Sequence, residues 1–163
     1  MTPNSSTELK FTAEYWIKKL QLIPHPEGGF YKETFQSNHQ LDDERQYTTI
    51  FYLLKEGQFS AFHRLGSDEI WHHYHGGELE ISMLGMEGPK TETLGIGENA
   101  NPQILVPAET WFTAAPVSGV DFVLCGCTMS PGFSMEQFEF GVFADLVLQF
   151  PDLELFLKAR CIR

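Results

Sequence analysis

Short alternating segments, separated at regular intervals by turn residues, confine what this chain can fold into. Phe30–Phe35, Tyr47–Leu54, Phe59–Leu65, Glu69–His75 and Glu78–Leu84 are followed by Lys90–Leu94, Gln103–Val106, Thr110–Ala114 and Asp121–Met129. Many of these runs are rich in Thr, Ile, Phe, Tyr or Trp, and Glu78–Leu84 alternates with period two. Lys55-Glu56-Gly57, Gly66-Ser67-Asp68, Gly76-Gly77 and Met86-Glu87-Gly88-Pro89 punctuate them. A repeat of about 8–12 residues with Gly or Pro between segments is the pattern of an all-β sandwich or barrel.

The two ends differ. Thr12 can cap a helix over Ala13–Leu22, with Trp16, Ile17 and Leu20 as its apolar stripe. Ile23-Pro24-His25-Pro26 ends it, because proline blocks continuation. Glu27-Gly28-Gly29 then turns the chain into the first strand, and His25 reads as a turn cap beside its prolines. Residues 1–11 read as a flexible arm and 37–46 as a polar loop. After Pro131-Gly132 the alternation stops, and Leu146, Leu148, Phe150, Leu153, Phe156 and Leu157 fit short helices broken at Pro151. No repeat or linker divides the chain, so one domain over 1–163 is expected.

Charge narrows the partners. The net charge is −11, and between Gly66 and Leu157 there are 14 Asp or Glu against one cation, Lys90. Such a surface repels phosphate backbones and anionic lipid, which argues against nucleic acid and membrane as partners. No run approaches about 20 apolar residues. Met1–Lys10 is polar and has no apolar core of a secretory signal. Three cysteines, with Cys125-Gly126-Cys127 one residue short of a redox C-x-x-C, fit buried thiols in a reducing compartment. A cytoplasmic location is therefore expected.

The chemistry concentrates between Gly57 and Gly76. His63 lies six residues after Gly57, Glu69 six after His63, and Gly76 seven after Glu69. His63 and Leu65 share a strand face by the period of two. The Gly66-Ser67-Asp68 turn folds Glu69 back toward them, so an imidazole and a carboxylate can meet inside a barrel.

This stretch resembles the first cupin motif, G-x5-H-x-H-x3,4-E-x6-G, and its spacing agrees throughout. The second motif, G-x5-P-x-G-x2-H-x3-N, is matched in part, by Asn101, Pro107, Glu109 and Phe112. A metal-binding cupin supplies ligands at positions that here are His63, Leu65, Glu69 and Phe112. Two of these are hydrocarbon, so no metal or other cofactor is expected. A narrower resemblance is to the uncharacterised cupin subfamily five. It rests on Leu22-Ile23-Pro24-His25-Pro26-Glu27-Gly28-Gly29-Phe30-Tyr31-Lys32-Glu33-Thr34, on Phe62-His63-Arg64-Leu65 and on Asp68-Glu69-Ile70-Trp71-His72. Val106 through Phe112 and Gly126 through Phe133 extend it. It implies a dimeric jelly-roll barrel, a double-stranded β-helix, to which the N-terminal helix and short C-terminal helices read above are added. It implies no particular activity.

His63 and Glu69 are the catalytic candidates. Tyr31, Lys32, Glu33, Trp71, His73, Trp111 and Phe112 are candidates for ligand contact, with Lys32 a possible anion contact. Three functions stay open. One is a small-molecule-binding module with an aromatic pocket. Another is a metal-free epimerase or isomerase acting on a sugar or sugar nucleotide, with His63 as base and Glu69 holding its tautomer. The third is a metal-dependent oxygenase or isomerase. Any partner is then an unknown small molecule and a second copy of the chain.

Overall fold

The computed structural model describes residues 11–41, 44–85 and 88–162; the arm expected before Phe11 and the start of the turn at Met86-Glu87 lie outside these residues. Thr12 does cap a helix, accepting the backbone N–H of Tyr15 at 3.2 Å, and α1 runs Ala13–Leu20. Gln21 ends it in the left-handed conformation, two residues before the expected stop. The strands are β1 (Ile23–Pro24), β2 (Phe30–Gln36), β3 (Gln40–Leu41), β4 (Glu44–Arg45), β5 (Thr48–Lys55), β6 (Ser60–Leu65) and β7 (Asp68–Gly76). They continue as β8 (Leu79–Gly85), β9 (Gly88–Leu94), β10 (Gln103–Val106), β11 (Trp111–Pro116), β12 (Phe122–Ser130) and β13 (Phe138–Phe140). Helices α2 (Phe143–Gln149) and α3 (Glu154–Arg160) flank a 3-10 turn at Pro151–Leu153.

Two antiparallel sheets form the barrel, ordered β1-β2-β5-β12-β7-β10 and β13-β6-β11-β8-β9. The expected polar loop contains a small hairpin of its own, β3-β4, and the expected helical tail begins with strand β13, which pairs with β6 at Phe138↔Leu65 and Phe140↔His63. The turn at Gly66-Ser67 carries the chain from one sheet to the other. His63 on β6 and Glu69 on β7 therefore come from opposite walls.

Alternation decides what each sheet presents inward. Leu79, Ile81, Leu94, Ile104, Val106, Phe112, Ala114 and Val123 interlock between the sheets and fill one half of the interior. Outside, α1 covers Leu53, Phe122 and Leu124 of the six-stranded sheet, and Leu146 and Leu157 of the C-terminal helices cover Phe62 and Leu84 of the other. Glu109 stands where the second motif has glycine, and it takes the left-handed conformation itself, at φ +61°. Its N–H reaches Leu65 O at 2.8 Å, which closes the turn onto β6.

Candidate functional site

The other half of the interior is open. A cavity of about 250 Å³ lies between β2, β5, β6, β7, β12 and β13, and Phe133 and Met135 border it. Its polar groups are His25, Glu27, Tyr31, Glu33, Thr48, Tyr52, His63, Glu69, Trp71 and Cys127.

The turn at 25–29 forms one part of the wall. Gly28 N–H donates to His25 O and His25 N–H to Gly29 O, both at 3.0 Å, so the turn is tight. Gly28 has φ +117°, and a Cβ there would stand 2.1 Å from Phe59 O, so only glycine lets the turn approach β6 this closely. Ala61 N–H donates to Glu27 O at 2.9 Å, and the Tyr52 hydroxyl donates to Gly28 O at 2.7 Å. Glu27 is thereby pressed into the barrel, where its Oε2 accepts from Ser60 Oγ at 2.8 Å.

His63 is fully enclosed. Its Nδ1 lies 2.8 Å from Ala61 O. A carbonyl can only accept, so Nδ1 carries the proton and the neutral ring presents the Nε2 lone pair. Nε2 faces Glu27 Oε2 at 3.5 Å. The ring packs on Phe112 at 4.2 Å and lies nearly parallel to Phe138 at 5.7 Å. Glu69 is buried as well, and its Oε2 accepts the Trp71 indole N–H at 2.8 Å. Glu69 was expected to hold the imidazole, but no hydrogen bond or ion pair joins it to His63. The orienting partner is the Ala61 carbonyl, and the close carboxylate is Glu27.

Burial sets the protonation states. It pushes the Glu69 pKa up to about 7 against the pull of His63, and Glu27 adds to the rise. Burial also raises Glu27, opposed by His25 and by the Ser60 hydrogen bond. The two histidines move the other way, chiefly through burial, and are neutral at pH 7. His25 Nδ1 accepts the Glu27 N–H at 3.2 Å, and its ring sits edge-on to Tyr31 at 4.3 Å.

Tyr31, Glu33, His63, Glu69 and Trp71 from the sequence-based set all line this cavity. Four others do not. Lys32 lies between Tyr31 and Glu33 and so faces outward, where its Nζ meets Gln21 Oε1 at 3.2 Å. Trp111 is out of phase with Phe112. It packs against the C-terminal helices, with the Arg64 guanidinium 4.7 Å from its ring centre. Phe112 faces inward but backs His63 as part of the packed half. His73 is four residues along β7 from Glu69, about 13 Å in an extended strand, and its Nε2 donates to Gly77 O at 2.9 Å. Glu27 and His25 were missed as site residues, although the His25-Pro26-Glu27-Gly28-Gly29 motif that contains them stood out in the sequence.

The residues present do not suit a transition metal. Leu65 and Phe112 put hydrocarbon at two ligand positions of the metal-binding pattern. No cluster of three or more His, Cys, Asp or Glu among the described residues is arranged to hold an ion.

A family described as Cupin superfamily (DUF985) matches residues 14–141. The chain belongs to this cupin family. Two solved cupins of this shape are similar over nearly their whole length. A hypothetical protein from Leishmania major is 30% identical, with TM-score 0.88 over 93% of this chain and 99% of the other. A protein from Shewanella oneidensis is 34% identical, with TM-score 0.87 over 93% and 98%. Oxalate decarboxylase from Bacillus subtilis shares the fold at 12% identity and TM-score 0.56, over 84% of this chain and 36% of that one. A search of curated proteins found no match. No helix among the described residues is long and apolar enough to cross a membrane.

Proposed function

We propose that this cupin binds a compact small molecule in the half-open barrel and that the pocket can move a proton on it. The observation that carries this reading is the arrangement of Glu27, His63 and Glu69 around one enclosed space. The cavity lies just below the roughly 300–1,000 Å³ of ordinary ligand pockets, which favours a small metabolite over a nucleotide. A sugar nucleotide is further disfavoured because no lysine or arginine among the described residues lines the cavity to meet a diphosphate. Proton transfer is supported by His63, whose tied Nδ1 leaves Nε2 as the base, and by Glu69, which near neutrality is present both protonated and ionised. Within this reading His63 Nε2 takes a proton from the bound molecule and the protonated carboxyl of Glu69 returns one to it, so the molecule keeps its proton count.

Native mass spectrometry of the purified chain and a thermal-shift screen of sugars, amines and small carboxylic acids test it. A hit should take up solvent deuterium at carbon, and His63→Gln should slow that exchange by about 100-fold or more. A hit with no exchange reduces the function to binding. No co-purified mass and no hit overturns the reading.

Pairing of two copies is also proposed. On the outer face of the six-stranded sheet, beside α1, Ile70, Tyr74 and Leu105 are 38%, 52% and 51% exposed. His72 lies among them and hydrogen-bonds Thr128 and Gln103, so the patch carries no formal charge. An uncharged apolar face is where two chains of charge −11 can approach. Sedimentation should show a species of twice 18.6 kDa, shifted to the single mass by Tyr74→Glu with Leu105→Glu. A wild-type chain found only at 18.6 kDa counts against it. The buried free thiols Cys125, Cys127 and Cys161 are consistent with the cytoplasm, where we place the chain.

A further inference from the structure

We infer that the molecule this cavity selects is an organic cation, a small amine or guanidine on an apolar body; this rests on the binding reading above. The charges facing the cavity are one-sided. Glu27, Glu33 and Glu69 contribute three carboxyl groups, and no lysine or arginine among the described residues joins them. The cations closest in sequence are turned away. Lys32 faces Gln21 on the outer side of β2, and Arg64 is held outside by Glu139, at 2.6 Å through Nη2 and 2.8 Å through Nε. His25 and His63 cannot balance the carboxyls, because burial keeps both rings neutral. Tyr52 and Cys127 also stay neutral, their pKa values raised first by burial.

The remaining surface suits the same kind of ligand. Tyr31, Trp71 and Phe138 border the space with aromatic rings, whose faces attract cations and whose bodies accept apolar groups. Glu33 borders the cavity and is also exposed to solvent. It can draw a cation in, whereas Glu27 and Glu69 lie deep, where low polarity strengthens their hold on it. An anion would meet the three carboxyl groups with no counter-charge. A bound ammonium group replaces the missing positive charge and holds Glu69 ionised, so binding near neutrality releases a proton.

A matched series of benzylamine, benzyl alcohol and benzoate tests this on the full chain. Melting temperature is one readout. Calorimetry at pH 6.5 in two buffers of different ionisation enthalpy is the other. The ammonium compound should bind about tenfold or more tightly than benzoate and release a fraction of a proton per molecule bound. Glu69→Gln should abolish that release. Glu33→Arg should weaken the amine about threefold or more, with the unliganded melting temperature of the variant measured alongside to show that the fold is kept. Benzoate binding as tightly as benzylamine, or no binding of the amine at millimolar concentration, overturns the cation assignment. So does stabilisation by a divalent metal ion alone that displaces the amine. In each case a hit from the wider screen, or a co-purified mass, leaves the binding reading in place. Silence in both experiments removes the two together.

Discussion

Gly28→Ala is expected to lower the melting temperature by roughly 6–20 °C. Its φ of +117° lies outside the regions open to L-residues, and the added Cβ would stand 2.1 Å from Phe59 O, a backbone atom that cannot rotate away. The turn must lift, which breaks the Tyr52 hydroxyl bond to Gly28 O and the Ala61 N–H bond to Glu27 O. Strain and lost hydrogen bonds together are worth about 3–5 kcal/mol. At about 2–4 °C per kcal/mol for a chain of this size, that gives the stated shift. Gly57→Ala is the control, since its φ is also positive, at +75°, yet a Cβ there meets nothing within 4 Å. Backbone strain alone should cost it about 1 kcal/mol. Equal effects of the two substitutions would show that the close approach to β6 contributes nothing.

The second large effect is a pH dependence carried by Glu69. Its folded-state pKa is raised from 4.5 to about 7, so between these values the folded protein holds a proton that the unfolded chain has lost. The associated stability is complete below 4.5, declines as pH rises, and is gone above about 7. The span corresponds to about 3 kcal/mol. Glu69→Gln keeps an oxygen for the Trp71 indole N–H and removes the titration. The variant should gain on the wild type as pH rises from 4.5, reaching an advantage of roughly 2–3 kcal/mol at pH 8. Glu27, raised like Glu69, acts in the same direction. His25 and His63, lowered by burial, favour the folded state as pH rises toward 6.5 and act oppositely. All three are present in both chains, so the difference between urea unfolding curves reports Glu69 together with its coupling to His63 and Glu27. A difference that does not change with pH would mean that Glu69 is not a buried acid in the folded protein.

What could be read from the sequence was local. The Thr12 cap and the strands from β5 to β12 follow from single-residue chemistry and the period of two, whereas α1 ends at a left-handed Gln21 before the prolines are reached. β13 was missed because Phe138-Glu139-Phe140 is too short to show a period, and its pairing with β6 depends on residues more than 70 positions upstream. That His63 and Glu69 line one cavity was legible because six residues separate them across one turn. Glu27 was not, because its place in the cavity depends on a turn docking onto Ala61 of a strand far along the chain. Strict alternation could have removed Lys32 and Trp111 from the site, since each neighbours a residue that already faces inward.

The division of the barrel into a packed half and an open half separates two kinds of evolutionary freedom. Leu79, Ile81, Leu94 and Val123 are fully buried in the interlock, so truncating any of them leaves a cavity and lowers stability. A substitution at Glu33, which borders the hollow and stands outside that cluster, alters the lining while the interlock stays whole. Barrels with one silhouette can thus differ in the lining of their hollows, and likeness of outline between two of them carries little information about the chemistry inside either.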